Sequence, residues 1–526
     1  MLRFVVYQEG SPAGTCPLRN AHLLGVDGTA MRAEIAFHDG LIQCVKQESG
    51  TAALVLQQPV GDCGELTIQT CLLPDRDEPY LLHLELARHR LMILYAKLED
   101  WGMFEVGPDH PVSRRVELAR KLFVEALCVQ REDPAEANRF ARDSLIAAID
   151  GTEELALAHA DLLLKRRKDT GMLPKHPIGC GIGSAQDRDR LRVGLHQNFD
   201  YLLLSMPWSF LAPEEGDYNW AGTDRWAEWA GKHRMHVVAG SLVSFRPQML
   251  PNWLYIWEHD YQTVRDLVYE HIERVVTRYR NNVTVWNAVS GLHVNSHLTF
   301  GFDQLMDLTR MATMLVKKIQ PSAQTLIEIE QPFGEYFSSN QRSIPPMTYA
   351  DLVMQGAINF DGFSVKLLMG QATSGQYTRD LMQISHLLDQ YALFGKPVYL
   401  TVAVPSEPVE PVIASPPGST EPIDPKCGFW RRPWSPLVQG RWLEAIYQIA
   451  MSKPFVEAVA WSEIIDHQDL ELPQSGLFTD QLQPKNAFRR LLAFRRRLMG
   501  ENGLQAGSEA VEIPVAAPPA ESQPAE

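Results

Sequence analysis

The stretch Val283–His297, Val-Thr-Val-Trp-Asn-Ala-Val-Ser-Gly-Leu-His-Val-Asn-Ser-His, decides how the rest of the chain is read. Its first half is β-branched and apolar; its second half is small and polar. A buried parallel strand opening into a loop has that composition, because a strand covered on both faces needs apolar side chains on both. From Pro177 onward the pattern recurs. Apolar runs at Gly179–Ile182, Tyr201–Ser205, His236–Ser241, Val283–Val289, Thr325–Glu330, Gly362–Lys366, Pro397–Val402 and Ala458–Trp461 alternate with helical periodicity at Asp224–His233, Tyr261–Tyr279, Gln304–Ile319 and Leu381–Phe394. Eight strands alternating with helices predict an α/β protein built on a (β/α)8 TIM barrel.

Working outward, 526 residues are too many for one average domain. Residues 1–105 alternate short apolar runs with turn signals (Phe4–Tyr7, Ala33–Phe37, Leu41–Val45, Ala53–Leu56, Leu66–Cys71, Tyr80–Leu86), which predicts a small β-sandwich-like domain. It is read either as a jelly-roll, carbohydrate-module-like unit or as a structural domain packed on the barrel. Residues 106–172 carry apolar residues at helical spacing (Val116–Cys128, Ala135–Ile149, Glu153–Lys165), with Ser113 and Asp133 as caps, and predict a helical linker. The barrel is assigned to 173–500, with a long Pro-rich excursion at 403–440; loops of that length inside a barrel are usually functional. The Ala-, Pro-, Glu- and Ser-rich tail, 501–526, is expected to be disordered.

Charge narrows the partners. A formal net charge of −15 argues against nucleic acid and anionic membranes, which need clustered Lys and Arg. The opening residues lack the charged start and long apolar core of a signal peptide, and no apolar run approaches the roughly 20 residues that span a bilayer. Seven Cys, odd in number and without Cys-x-x-Cys spacing, read as reduced thiols rather than disulfides or metal ligands. The expectation is a cytoplasmic protein with no cofactor and no metal. His293 and His297 are spaced like metal ligands on a helix, but no third ligand accompanies them.

Several fragments are similar, in order and spacing, to glycoside hydrolase family 10, the xylanase-like TIM barrels. Trp286–Leu292 resembles the family's Trp-Asp-Val-Val-Asn-Glu-Ala at the end of strand 4. Pro213-Glu214-Glu215-Gly216-Asp217-Tyr218-Asn219-Trp220 resembles its Pro-Glu-Glu-Gly-x-Phe-x-Phe after strand 2, and Pro251-Asn252-Trp253-Leu254 its Pro-x-Trp-Leu after strand 3. Asp361–Lys366, Gly395–Thr401, and Gly476-Leu477-Phe478 followed by Pro484-Lys485-Asn486-Ala487 resemble its strand 6, strand 7 and closing motifs. The resemblance implies hydrolysis of β-1,4-linked, xylan-type glycans and an oligo- or polysaccharide partner. It also implies that the acid/base position is Gly291 and the nucleophile position Val402, neither of which can transfer a proton or form an ester. Lys366 stands for a family Gln, Leu368 for a His, and Ala239–Ser244 lacks the His and Trp expected after strand 3.

A glycosidase needs two carboxyl groups. Strand-end candidates for relocated carboxylates are Glu330, with Glu328 two residues before it, and Glu463; Glu407, Asp466 and Asp469 lie farther out. Sugar rings stack on aromatic faces and Arg donates to hydroxyls, so Trp208, Trp430, Arg431, Trp434 and Trp461, with Lys366, are the candidate substrate-binding residues. Trp253 is an aromatic alternative of the same kind. Three readings follow: a divergent, non-hydrolytic glycan binder, an active glycosidase using Glu330 and Glu463, or a structural and interaction protein.

Overall fold

The computed structural model describes the chain except residues 9, 48, 105–106, 184–191, 193, 299, 410–425 and 500–526. The tail 501–526 and the middle of the Pro-rich excursion therefore lie outside the described residues.

Eight parallel strands close into a barrel in chain order: Ile178–Gly183, Tyr201–Ser205, His236–Ser244, Val285–Ser290, Gln324–Ile329, Gly362–Leu368, Val398–Ala403 and Val456–Trp461, numbered here strands 1 to 8. Strand 4 is buried along its whole length, as its composition requires. Trp286 on it is fully buried and faces the helix layer, its Nε1 donating to Gln320 Oε1 at 2.9 Å. The outer helices are amphipathic. Phe302–Ile319, for example, buries Leu305, Leu308, Ala312, Leu315 and Val316 on one stripe. Asp380 caps Leu381–Ala392 by accepting from the amides of Met382 and Gln383.

The amino-terminal part has two small sheets. One joins Tyr80–Leu81, Leu2–Val5, Leu41–Lys46 and Ala33–His38. The other runs Phe429–Trp430, Gly64–Gln69, Ala53–Pro59, His22–Leu24, Ala30–Met31, so its edge strand comes from the excursion after strand 7. The expected strand Tyr80–Leu86 is corrected: only Tyr80–Leu81 is extended, and helix α1 occupies Leu82–Asp100. Helix α2 is Pro111–Val129, capped by His110 rather than Ser113; α3 is one helix of 36 residues, Pro134–Asp169, capped by Asp133 as expected.

These helices pack rather than link. Arg90 of α1 forms a bidentate, fully buried pair with Asp380 of the barrel. Arg167 of α3 donates to the carbonyls of Met451 and Lys453, and Gln448 Nε2 donates to Asp161 at 2.7 Å. The first sheets grip loops at the carboxyl end of the barrel: Asn20 and Arg379 both bond Glu335 after strand 5, and Thr67 N donates to Thr378 O at 2.9 Å. Among the described residues no helix is long and apolar enough to cross a membrane.

Candidate active site

In a TIM barrel the carboxyl ends of the strands carry the chemistry. Alternate residues of extended chain share a face, so Glu328 of strand 5 and Glu330 just past its end point together, as do Ser364 and Lys366 of strand 6. The register places Ser290 opposite Glu328 and Glu328 opposite Ser364. A register shift between Asn287 and Val289 lets strand 4 present both Asn287 and Ser290 to the same carboxyl group. Glu328 Oε2 accepts from Ser364 Oγ at 2.9 Å and Asn287 Nδ2 at 3.2 Å; Ser290 Oγ lies 2.6 Å from Oε1 of both Glu328 and Glu330.

Two cations cross this cluster. Arg246, two residues past strand 3, reaches Glu330 Oε1 at 3.2 Å and pairs with Glu471 of the loop after strand 8. Lys366 Nζ lies 3.7 Å from Glu330 Oε1 and also pairs with Glu471. Their attraction, against the cost of burial, holds the Glu471 carboxyl down at about 2. Glu330 is 4% exposed, whereas Glu471 is exposed, and Arg246, Lys366 and Glu463 are half-buried, so the cluster opens to solvent.

Glu463 follows strand 8. Strand 8 turns over Gly181 of strand 1, where a Cβ would sit 1.6 Å from Ser462 O; Ile464 N donates to Gly181 O at 3.0 Å. That close approach seats Glu463 in the mouth. Burial pushes its carboxyl up to about 8, with Lys366 opposing and Glu471 adding to the rise. Glu463 Oε2, Asn287 Oδ1 and Ser244 Oγ are buried polar atoms with no hydrogen-bond partner among the described residues.

The space at position 291 is already taken. Gly291 has φ +63°, and a Cβ there would meet Glu330 Oε2 at 2.7 Å. The Glu330 carboxylate thus fills the volume from which a side chain at 291 would start. Gly291→Ala is expected to displace Glu330, and for a hydrolase that uses this carboxylate ~1 Å of misplacement lowers turnover by up to about a hundredfold. Turnover and a crystal structure of the variant check this.

Of the residues expected from the sequence, Glu330, Lys366 and Glu463 come together. The aromatic set is corrected. Trp430 is 8% exposed and lies in the amino-terminal sheet, its Nε1 donating to Glu153 Oε1 at 2.8 Å. Arg431 is spent on Asp150 and Glu153 of α3. Trp434 and Trp461 are buried, donating to Gly428 O at 3.1 Å and Ser475 O at 2.7 Å. Trp208 is buried against His271 and Trp253, and Trp253 Nε1 donates to Ala212 O at 2.9 Å. Trp430, Trp434 and Trp461 are held inside with carbonyl or carboxylate partners for their N–H groups, and Trp208 is buried by packing alone, so these four faces are not offered to a sugar; Trp253 is half-buried. Trp430→Phe is expected to leave glycan affinity unchanged and cost about 1–3 kcal/mol of stability by stripping a donor from buried Glu153, read by titration calorimetry and thermal unfolding.

His293 and His297 do not converge. His293 is buried, stacked on Tyr349 and bonded to Glu330 O at 3.0 Å, with burial lowering it to about 4; His297 is exposed. Among the described residues no group of three His, Cys, Asp or Glu could hold a metal. Glu407 is exposed, and Asp466 is tied to Lys485 and Gly476 N.

Residues 186–298, from ahead of strand 2 through strand 4, match the family model described as glycosyl hydrolase family 10. Over that segment the barrel is similar to glycosyl hydrolase family 10. Endo-1,4-beta-xylanase A of Halalkalibacterium halodurans is 34% identical over 130 residues, 22% of this chain and 32% of its own length. Endo-1,4-beta-xylanase 1 of Gibberella zeae is 29% identical over 86 residues, 16% of this chain and 24% of its own. The matched part thus spans about a third or less of these curated relatives. Native xylanase 10B from Thermotoga maritima superposes with a TM-score of 0.46 at 17% identity, covering 64% of this chain and 99% of that one. The family match includes Gly291 and ends before strand 5, so Glu330 and Glu463 lie beyond it.

Proposed function

We propose that this barrel belongs to glycoside hydrolase family 10 and hydrolyses β-1,4-linked, xylan-type glycans, with Glu463 donating the proton and Glu330 as the partner carboxylate. The observation that carries this reading is the contrast at one mouth: Glu463 is held neutral up to about pH 8, while Glu330 sits against Arg246 and Lys366. A carboxyl held neutral by burial beside one paired with two cations is the kind of contrast that acid–base hydrolysis uses.

The placement has a simple geometry. The resemblance assigns the family's carboxylates to strands 4 and 7; the candidates here follow strands 5 and 8. Ser290 pairs with Glu328, and Val402 with Trp461, so each carboxylate has moved one strand round the barrel in the same direction. The relatives' names as endo-1,4-β-xylanases support the substrate class. The seven cysteines, all unpaired, fit a reducing compartment.

One observation favours the second reading, a glycan binder without turnover: two cations share Glu330, and ion pairing blunts a nucleophile or base. A hydrolysis screen on aryl xylosides and xylo-oligosaccharides, with Glu330→Gln, Glu463→Gln and parallel calorimetry, separates the two. Turnover lost in both variants supports the enzyme. Binding without wild-type turnover supports the binder, and neither binding nor turnover sinks both.

A further inference from the structure

One hydroxyl between two carboxyl groups fixes a proton count. Ser290 Oγ is 2.6 Å from Glu328 Oε1 and 2.6 Å from Glu330 Oε1, in a fully buried setting. A hydroxyl carries one proton, so it donates to one carboxyl and must accept from the other. Were both ionised, one of these short contacts would set lone pair against lone pair.

The surroundings say which group is neutral. Glu330 faces Arg246 and Lys366. Glu328 has no ion pair within 4.0 Å among the described residues; its other oxygen meets only Ser364 and Asn287. Burial raises the Glu328 carboxyl, Lys366 opposing and the Glu330 charge adding to the rise. The remaining charged and titratable neighbours are Glu471, which engages both cations, Glu463, and His293, held neutral against Glu330 O.

We propose that Glu328, Ser290 and Glu330 share a single proton as a relay, with Glu328 as its buried store and Ser290 as its conduit. At rest Glu328 Oε1–H donates to Ser290 Oγ, and Ser290 Oγ–H donates to Glu330 Oε1. In transfer, the Glu328 proton passes to Ser290 Oγ as the Ser290 proton passes to Glu330 Oε1. One negative charge moves from Glu330 to Glu328, and no proton enters or leaves. Ionised Glu328 then accepts from Ser290, Ser364 and Asn287, three donors already in place. The relay lets Glu330 act as base or acid without exchange with bulk water; this catalytic use rests on the hydrolase reading, the shared proton does not. Glu328 and Ser290 are positioning residues.

The test uses the full-length Glu463→Gln protein, which lacks Glu463's own neutral carboxyl. Isotope-edited infrared spectra at neutral pH are compared with and without Glu328→Gln, an isosteric change whose folding is confirmed by circular dichroism. Loss of one neutral-carboxyl band is expected; unchanged band intensity overturns the relay. Ser290→Ala should shift that band and Ser290→Thr should keep it, and a band indifferent to Ser290→Ala also overturns it. In the otherwise wild-type enzyme, Glu328→Gln and Ser290→Ala should lower kcat roughly tenfold to a hundredfold with little change in KM, and move the acidic limb of the pH profile, with Ser290→Thr restoring both. If the wild type turns nothing over, the hydrolase reading falls while the infrared result still decides the relay.

Discussion

Glu463→Gln is expected to remove turnover of xylo-oligosaccharides by about 10²- to 10⁴-fold, the usual contribution of a positioned general acid. The pH profile carries the sharper expectation. As the proposed general acid, Glu463 acts in its protonated form and titrates at about 8, so the proposal predicts that wild-type activity falls on an alkaline limb near that value, absent from the residual activity of the variant. Stability follows the same group. An unfolded chain releases this proton near 4.5, the folded protein at about 8, so between these values the folded state holds more protons. Its stability therefore declines as pH rises through that window, by an amount on the order of a few kcal/mol, and Glu463→Gln flattens the decline. Denaturant unfolding of both proteins at about pH 5 and about pH 9 measures it. Wild-type turnover in the variant would remove Glu463 from the mechanism.

The second large effect is structural. Arg90→Ala should destabilise the protein by about 3–5 kcal/mol, because Asp380 would be left ionised and buried without its bidentate partner. Asp380 is fully buried and caps Leu381–Ala392, so losing its partner disturbs the cap as well. Calorimetry should show one lowered transition if the amino-terminal region and barrel unfold as a unit. A variant as stable as wild type would mean that the pair carries no net weight in holding α1 to the barrel.

What the sequence disclosed depended on how each segment is buried. The barrel strands are apolar on both faces, and the helix Tyr261–Tyr279 carries a one-sided stripe, so both stood out in the residue order. Helix α1 did not. It buries Leu82 through Ala87 in succession, and the alternation of Leu82, Leu84 and Leu86 imitates a strand. Glu330, Glu463 and Lys366 were legible because strand ends are fixed by the fold. Arg246 and Glu471, which set the electrostatics of the mouth, lie in loops where no periodicity marks them. Ser290 was visible only as a residue standing where an Asn was expected; its place between two carboxyl groups needed the strand register. Trp430 was misplaced because its partners, Glu153 and the strand Gly64–Gln69, are remote in sequence.

The pairing of Phe429–Trp430 with Gly64–Gln69 also imposes an order of events. The amino-terminal sheet gains its edge strand from a segment made after most of the barrel. Until then, Gly64–Gln69 presents unpaired backbone donors and acceptors, the state that invites a stray strand. The excursion after strand 7 therefore completes the first sheet late: residues made early reach their final pairing only after seven of the eight barrel strands have been made.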